Sequence, residues 1–311
     1  MNTIGIVGLG LLGRGIATCL LSRGLNVIAL DRDAAVVTAA RTHIEDSLKE
    51  MVSRGALAEE VATSWESRYQ EAASFSDFSS CQFMIESVAE DLTTKRAVFT
   101  ELEAVLSTET PIGSNTSALP ITFLQAECRH PERIVGMHWA EPCQITRFLE
   151  VIRGDQTNTA TAEAALQLGR QAGKDPTLVN KDVAGFIVNR LGYAMYREAF
   201  WLLEQGVADV ETIDRSFRNA ISVWADVAGP FRWMDLTGLP AYAAVMERLF
   251  PQLSNRTDVP PEMKQLVESG AKGIANGRGF YQYTPEEARR WEQAITENVW
   301  RLNSLSDPSQ P

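Results

Sequence analysis

Two kinds of segment alternate along the first 180 residues. Short, mainly apolar runs fall at 3–8 (TIGIVG), 26–31 (NVIALD), 81–88 (CQFMIESV), 110–115 (TPIGSN), 133–138 (RIVGMH) and 148–153 (FLEVIR). Runs of this length, bounded by glycines, acids or prolines and lacking apolar–polar alternation, predict strands buried on both faces. Helical spacing fills the gaps. At 11–23, Ile16, Leu20 and Leu21 share one face, and further helices are expected at 34–54, 57–67, 93–107 and 120–126. Strand alternating with helix predicts an α/β class, a doubly wound parallel sheet covered on both faces. After PTLVNKD (176–182) the pattern changes. Residues 185–311 are helical in period, with turn signals at Gly229–Pro230, Pro260–Pro261 and 277–279. The boundary is therefore placed at 182, giving a sheet domain over 1–182 and an all-helical domain over 183–311. The terminal DPSQP is expected to fray.

Composition narrows the class. The chain has 311 residues, 45% hydrophobic and 22% charged, which is ordinary for a globular protein with a sizeable core. A net charge of −11 argues against nucleic acid or an anionic membrane as partner. Four cysteines, Cys19, Cys81, Cys128 and Cys143, are widely spaced, with neither metal-ligand spacing nor a disulfide framework. No apolar run reaches the length of a membrane span. A strand beginning at residue 3 leaves no room for a leader. A cytoplasmic protein with reduced thiols is expected.

The first strand runs into Gly8-Leu9-Gly10-Leu11-Leu12-Gly13 and then into a helix. In such a motif one glycine permits the tight turn, one lets backbone approach a pyrophosphate, and one allows close packing of helix on strand. The helix N-terminus offers free N–H groups and its positive dipole end to the phosphates. Asp31 ends the second strand, where an acid binds a ribose 2′-hydroxyl and repels a 2′-phosphate. This Rossmann-type signature predicts NAD rather than NADP, with Arg32 beside the acid.

Hydride transfer needs a base for the hydroxyl proton, and neutral imidazole suits that task. Of three histidines, His43 lies in a charged helix and His130 in a polar turn. His138 alone ends a predicted sheet strand, at the edge where ligands bind in such folds. Glu150 lies inside the apolar FLEVIR run, a costly place for a carboxylate without a partner. It is the expected partner of His138, fixing its tautomer.

With these residues in view, the chain resembles the L-3-hydroxyacyl-CoA dehydrogenase family over essentially its whole length. The resemblance is carried by GLGLLGRGIA (8–17), ESVAEDLTTKRAVFTEL (86–102), SNTSALPIT (114–122), RIVGMHWAEP (133–142), LEVIRG (149–154), AGFIVNR (184–190) and GPFRWMDLTGL (229–239). It implies an enzyme interconverting a 3-hydroxy and a 3-keto group. His138 moves the proton, Glu150 orients His138, and Ser117 and Asn189 bond the reacting oxygen or a neighbouring carbonyl. It also implies that Glu90, Lys95, Asn115 and Ser117 help hold NAD, together with Gly8, Gly10, Leu11, Leu12, Gly13, Asp31 and Arg32. A homodimer through the helical domain is implied as well.

The chain departs from the family pattern in ways that bear on substrate. Glu141 stands where the family usually has Asn, three residues after the histidine. It either disfavours the neutral base, recognises a substrate hydroxyl or cation, or is solvated at a turn. Ala275 replaces a frequent lysine. Ser47 and Arg54 match positions that contact CoA in the family, but Asp46 and Ala56 stand where basic residues are common. The segment NRLGYAMYREAFWLLEQGV (189–207) is similar to branches acting on small free acids such as L-gulonate, L-carnitine or a pyridine carboxylate. Arg197 there is a candidate for holding a carboxylate, or a surface arginine. Trp224 and Trp233 either wall a substrate cleft or serve as core or dimer contacts. Two substrate classes thus stay open, 3-hydroxyacyl-CoA and a small hydroxy acid, beside a non-catalytic crystallin-like binding protein.

Overall fold

The computed structural model describes residues 1–305, so the tail expected to fray lies outside the described residues. An eight-stranded sheet forms the centre of the first part of the chain. Its strands are β1 (Thr3–Val7), β2 (Asn26–Leu30), β3 (Tyr69–Glu71), β4 (Phe83–Glu86), β5 (Ile112–Ser114), β6 (Ile134–Trp139), β7 (Leu149–Ile152) and β8 (Thr177–Val179). The order is β3-β2-β1-β4-β5-β6-β7-β8. The first six are mutually parallel, in the doubly wound order whose direction reverses between β1 and β4. Helices α1 (Leu11–Ser22), α2 (Ala34–Ser53), α3 (Glu59–Thr63), α4 (Leu92–Val105), α5 (Ile121–Gln125) and α6 (Thr159–Gln171) make the connections.

The apolar runs form the interior for the reason their lack of alternation suggested. Ile4, Ile6, Phe83, Met84, Ile85, Ile112, Ile134 and Met137 are fully buried, since helices cover both faces of the sheet. Side-chain caps start the helices: Asp33 accepts from Ala35 N–H at α2, Asp91 from Thr94 N–H at α4, and Asn158 from Thr161 N–H at α6.

The sheet is not wholly parallel, as the alternation of elements had suggested. β7 pairs antiparallel with β6, and β8 runs with β7. The connection 140–148 is too short to carry a crossover, so the chain can only turn back. β3 and β8 escape the apolar pattern because each has three residues, most of them exposed. The expected helix at 57–67 is α3 followed by a 3₁₀ turn at Trp65–Arg68, and α6 was not anticipated.

The chain divides into two compact units, the first Met1–Arg190 and the second beginning at Leu191. The first thus runs past the boundary read at 182. Phe186 is buried in it and the backbone N–H groups of Ile187 and Val188 bond Glu150. The remainder is helical: α7 (Val188–Glu204), α8 (Val210–Ala225), α9 (Pro230–Thr237), α10 (Leu239–Leu249), α11 (Pro261–Glu268) and α12 (Pro285–Leu305). Ala228 is the one buried residue among the described residues of the second unit. No described helix is long and apolar enough to cross a membrane.

Candidate active site

The glycine turn sits at the carboxyl end of β1, beside the reversal point. Gly8 has φ +95°, and a Cβ there would lie 2.5 Å from the Ser87 carbonyl oxygen. A Cβ on Gly13 would lie 2.0 Å from the Gly8 carbonyl oxygen, so only glycine allows helix and turn to meet. Gly10 differs. No protein atom lies within 4 Å of the place its Cβ would occupy. That open side of the turn, at the start of α1, has no side-chain cap and no acid in the first turn, which leaves the N–H groups for a phosphate. Leu11 is exposed beside it.

Asp31 is fixed by two backbone donors, Leu9 N–H to Oδ2 at 2.8 Å and Asp33 N–H to Oδ1 at 3.0 Å. Asp31, Arg32, Thr38, Arg41 and Glu71 line a cavity of about 370 Å³ at the end of β2. Glycine turn, open helix end and acid-lined cavity suit a dinucleotide: pyrophosphate on the turn, ribose at Asp31.

Between β4 and β5 lies a charged network inside the protein. Lys95 and Glu86 are both fully buried, with Lys95 Nζ 2.8 Å from Glu86 Oε1 and 3.3 Å from Glu90 Oε2. Glu86 also accepts from Val88 N–H and from the Ser114 hydroxyl, at 2.7 and 2.5 Å. Glu90 Oε1 accepts from the Thr116 hydroxyl and from Ser117 and Ala118 N–H, at 2.5, 3.0 and 3.1 Å. Burial pushes the Glu90 carboxyl up. The Thr116 hydroxyl, the Lys95 ammonium and the two N–H groups outweigh burial and hold it below the ordinary value.

The Lys95 ammonium is fully buried beside its two carboxylates. Asn115 turns its amide to protein groups, donating to Ser87 Oγ and accepting from Trp139 N–H. The reading from sequence passed over Glu86. The signal was the same as for Glu150, a carboxylate inside an apolar strand.

His138 and Glu150 are direct partners in the β6–β7 ladder. His138 Nδ1 lies 2.9 Å from Glu150 Oε2, with both residues buried. A carboxylate accepts, so Nδ1 carries the proton and Nε2 keeps a lone pair. The ring is packed edge-on to Phe148 and against Phe186, with centroids 5.4 and 5.7 Å away. The other Glu150 oxygen accepts from Ile187 and Val188 N–H at 3.1 and 3.0 Å, at the entry to α7. Phe186 holds φ +51°, in the left-handed region, to bring those donors round. Asn189 Nδ2 donates to the Ser117 carbonyl at 2.8 Å. Ser117 therefore has both backbone groups engaged, by Glu90 and by Asn189, and its hydroxyl has no protein hydrogen bond among the described residues.

Glu141 lies beside α1. Its carboxyl accepts from Cys143 N–H and has Arg14 and Lys174 as charged neighbours. A Cβ on Gly15 of α1 would lie 3.6 Å from its Oε1. Crowding by protein raises its pKa, against the pull of that N–H, Arg14 and Lys174. Lys174, also missed in the sequence, is buried and donates to the carbonyls of Cys143 and Thr146, pinning the loop that carries Glu141.

On α2, Ser47 is buried with its hydroxyl 3.5 Å from His43 Nε2, and Arg54 is ion-paired to Glu50 at 2.9 Å. Arg197 and Trp224 belong to the second unit. Arg197 is exposed, and Trp224 stacks on Trp233 with centroids 5.6 Å apart and rings 9° from parallel.

Comparison with known proteins gives this geometry a family context. The family model for the 3-hydroxyacyl-CoA dehydrogenase NAD binding domain matches residues 3–183, and that for the 3-hydroxyacyl-CoA dehydrogenase C-terminal domain matches 185–283. The chain is 36% identical, over 93% of both chains, to a 5-formyl-3-hydroxy-2-methylpyridine 4-carboxylate 5-dehydrogenase from Mesorhizobium japonicum. It is 34% identical to a 3-hydroxybutyryl-CoA dehydrogenase from Bradyrhizobium diazoefficiens, over 91% of this chain and 96% of that one. Among solved structures, one of a 5-formyl-3-hydroxy-2-methylpyridine 4-carboxylic acid 5-dehydrogenase, described as an NAD+-dependent dismutase, superposes with a TM-score of 0.88. It shares 35% identity and covers 98% of this chain and 97% of that one. An (S)-3-hydroxybutyryl-CoA dehydrogenase from Ralstonia eutropha gives 0.77 at 32% identity, covering 91% and 99%.

Proposed function

Since the chain belongs to the 3-hydroxyacyl-CoA dehydrogenase family of NAD-dependent oxidoreductases, we propose that it oxidises a carbinol carbon of its substrate or reduces the corresponding carbonyl, with His138 as the proton-transfer group. The observation that carries this reading is the buried 2.9 Å bond from His138 Nδ1 to Glu150, which leaves Nε2 basic at the carboxyl end of β6. NAD supplies the hydride acceptor. His138 Nε2 takes the hydroxyl proton in oxidation and returns it in reduction. Glu150 keeps the ring in one tautomer and faces the imidazolium with a negative charge. The Ser117 hydroxyl and the remaining Asn189 N–H bond the reacting oxygen. Asp31 holds the ribose, and Gly8, Gly10 and Gly13 shape the phosphate turn.

The substrate in this reading is a small free acid. Around Ser47 and Arg54, where CoA binds in the family, α2 presents Glu45, Asp46 and Glu50, and Arg54 is paired to Glu50. An anionic CoA meets little free positive charge there. The pyridine-carboxylate dehydrogenase relative points the same way. The presence of Ser47 and Arg54 and the 3-hydroxybutyryl-CoA dehydrogenase relatives favour the second reading, a CoA thioester. NADH oxidation with acetoacetyl-CoA decides. Slow turnover beside faster turnover of a small keto or formyl acid is expected, and fast turnover at low acetoacetyl-CoA sinks the free-acid reading.

For the proton-transfer assignment, His138→Gln is expected to bind NADH as the parent does and lose about 10²–10⁴-fold in turnover. Undiminished turnover on the true substrate would overturn it. A homodimer is part of the same proposal. The helices of the second unit expose Val223, Phe231, Leu236, Leu239 and Val245, and a second copy is the proposed occupant of that apolar surface. The four free cysteines suit a reducing, cytoplasmic setting.

A further inference from the structure

The arginines of the first unit that are not exposed have partners, with one exception. Arg41 is held by Glu66 and Glu71, Arg96 by Glu127, and Arg68, Arg133 and Arg153 by backbone carbonyls. Arg14 is the exception. Its guanidinium has no hydrogen bond and no ion pair with any described residue, and its Nε is buried without a partner. A charged fork taken partly out of water and left open is costly, and an N–H withheld from solvent calls for an acceptor. Arg14 follows Gly13 on α1, and the loop 140–148, which leaves β6 just after His138, lies against the next residue. A Cβ on Gly15 would be 2.9 Å from Cys143 Cβ and 3.7 Å from Gln144 Oε1. Gln144 Oε1 is also buried without a partner. Nearby groups do not close the fork. Glu141 accepts from Cys143 N–H and forms no ion pair with Arg14. Lys174, the other cation beside Glu141, spends its ammonium on the Cys143 and Thr146 carbonyls. On α2, burial and then the Arg14 charge hold His43 below its usual value, so that imidazole adds no competing cation at neutral pH.

We infer that Arg14 is the residue that binds the carboxylate of a small acid substrate, its open fork lying between α2 and the loop 140–148. The inference rests on the reading above that the substrate is a free acid. It supplies the cation which that reading lacks, since Arg54 is paired to Glu50 and Arg197 is exposed. A planar guanidinium takes a carboxylate through two parallel N–H bonds, a geometry that an ammonium cannot reproduce. The bond strengthens where water is partly excluded, as it is at the buried Nε. Arg14 then fixes which acids enter the site and takes no part in moving the proton or the hydride.

The test reads binding. Acetoacetate and pyridine-4-carboxylate are titrated by calorimetry into protein saturated with oxidised NAD, where neither can accept a hydride. Methyl acetoacetate and pyridine-4-carboxamide are the uncharged counterparts. The parent, Arg14→Met and Arg14→Lys are compared, with NADH affinity by fluorescence and thermal midpoint read for each. The parent is expected to bind at least one carboxylate about tenfold or more tightly than its counterpart. Arg14→Met is expected to lose about tenfold or more for that carboxylate, with the counterpart and NADH bound within about threefold of the parent. Arg14→Lys keeps the charge without the fork and is expected to lose about threefold or more. A parent that does not prefer the carboxylates overturns the inference. So do equal losses for charged and uncharged probes, and weakened NADH binding, which would place Arg14 at the cofactor phosphates. Should Arg14→Met fail to fold, Arg14→Lys decides alone, and full carboxylate affinity there overturns the inference. The acetoacetyl-CoA assay separates the two levels. Fast turnover removes the free-acid reading and this inference with it, whereas slow turnover beside carboxylate binding indifferent to Arg14 removes only the role of Arg14.

Discussion

At the residue scale, three glycines in one turn do different work and respond differently to the same methyl group. Gly10→Ala meets no protein atom, and its φ of −58° suits any residue. Its stability is expected within about 0.5 kcal/mol of the parent, with NADH bound at least about tenfold more weakly, because the methyl enters the space of the phosphates. Gly13→Ala drives a methyl to 2.0 Å from the Gly8 carbonyl, and a loss of about 1–3 kcal/mol in denaturant unfolding is expected. Glu150→Gln separates charge from shape. The amide still fills the site but no longer faces the imidazolium with a charge. A loss in turnover on the order of 10²–10⁴-fold is expected, measured beside an NADH affinity that holds. Retained turnover would leave Glu150 a purely structural residue.

Elements carry the next level, and the turn 115–118 shows it. Because the Glu90 carboxyl is held below its ordinary value of 4.5, its bonds add stability that is present above that pH. That contribution is lost as pH falls through the lower folded value. Hydrogen exchange at Ser117 and Ala118 N–H, corrected for the intrinsic rate, is expected to stay slow down to about pH 4.5 and to speed up below it. Speeding up at pH 6 would count against the network. The sequence made the inner strands legible because each is an apolar run buried on both sides. It made His138 and Glu150 legible because a carboxylate inside such a run needs a partner. The direction of β7 was not legible from the run itself, since an apolar run reads alike both ways. Only the short connection 140–148 encodes it. Nor was the fate of Lys95. A lysine on a helix reads as solvated until the fold places Glu86 and Glu90 around it. The surroundings of Glu141 were not legible either, because they depend on the loop 140–148 bringing its carboxyl beside α1.

For the whole molecule, the contrast between its two units sets the expectation. The first has a buried apolar sheet core, and the second has Ala228 alone buried among its described residues. Sedimentation at micromolar concentration is expected to give a species at twice the 34.3 kDa chain mass. Val223→Glu with Phe231→Glu, two exposed apolar sites on α8 and α9, is expected to shift it toward the single chain. A parent that sediments as a single chain would remove the dimer from the proposal. The Glu150 carboxylate adds a constraint on how such proteins exchange parts. The two family matches meet at residues 183–185, which looks like a natural seam for recombination. Yet one oxygen of Glu150 is bonded to His138 and the other to the N–H groups of Ile187 and Val188. A chimera joined at that seam would import a foreign collar for its own base, whereas a joint beyond Arg190 would carry the base and its collar together. The heritable module is set by a hydrogen bond and extends past the seam of the two family matches, within the first compact unit.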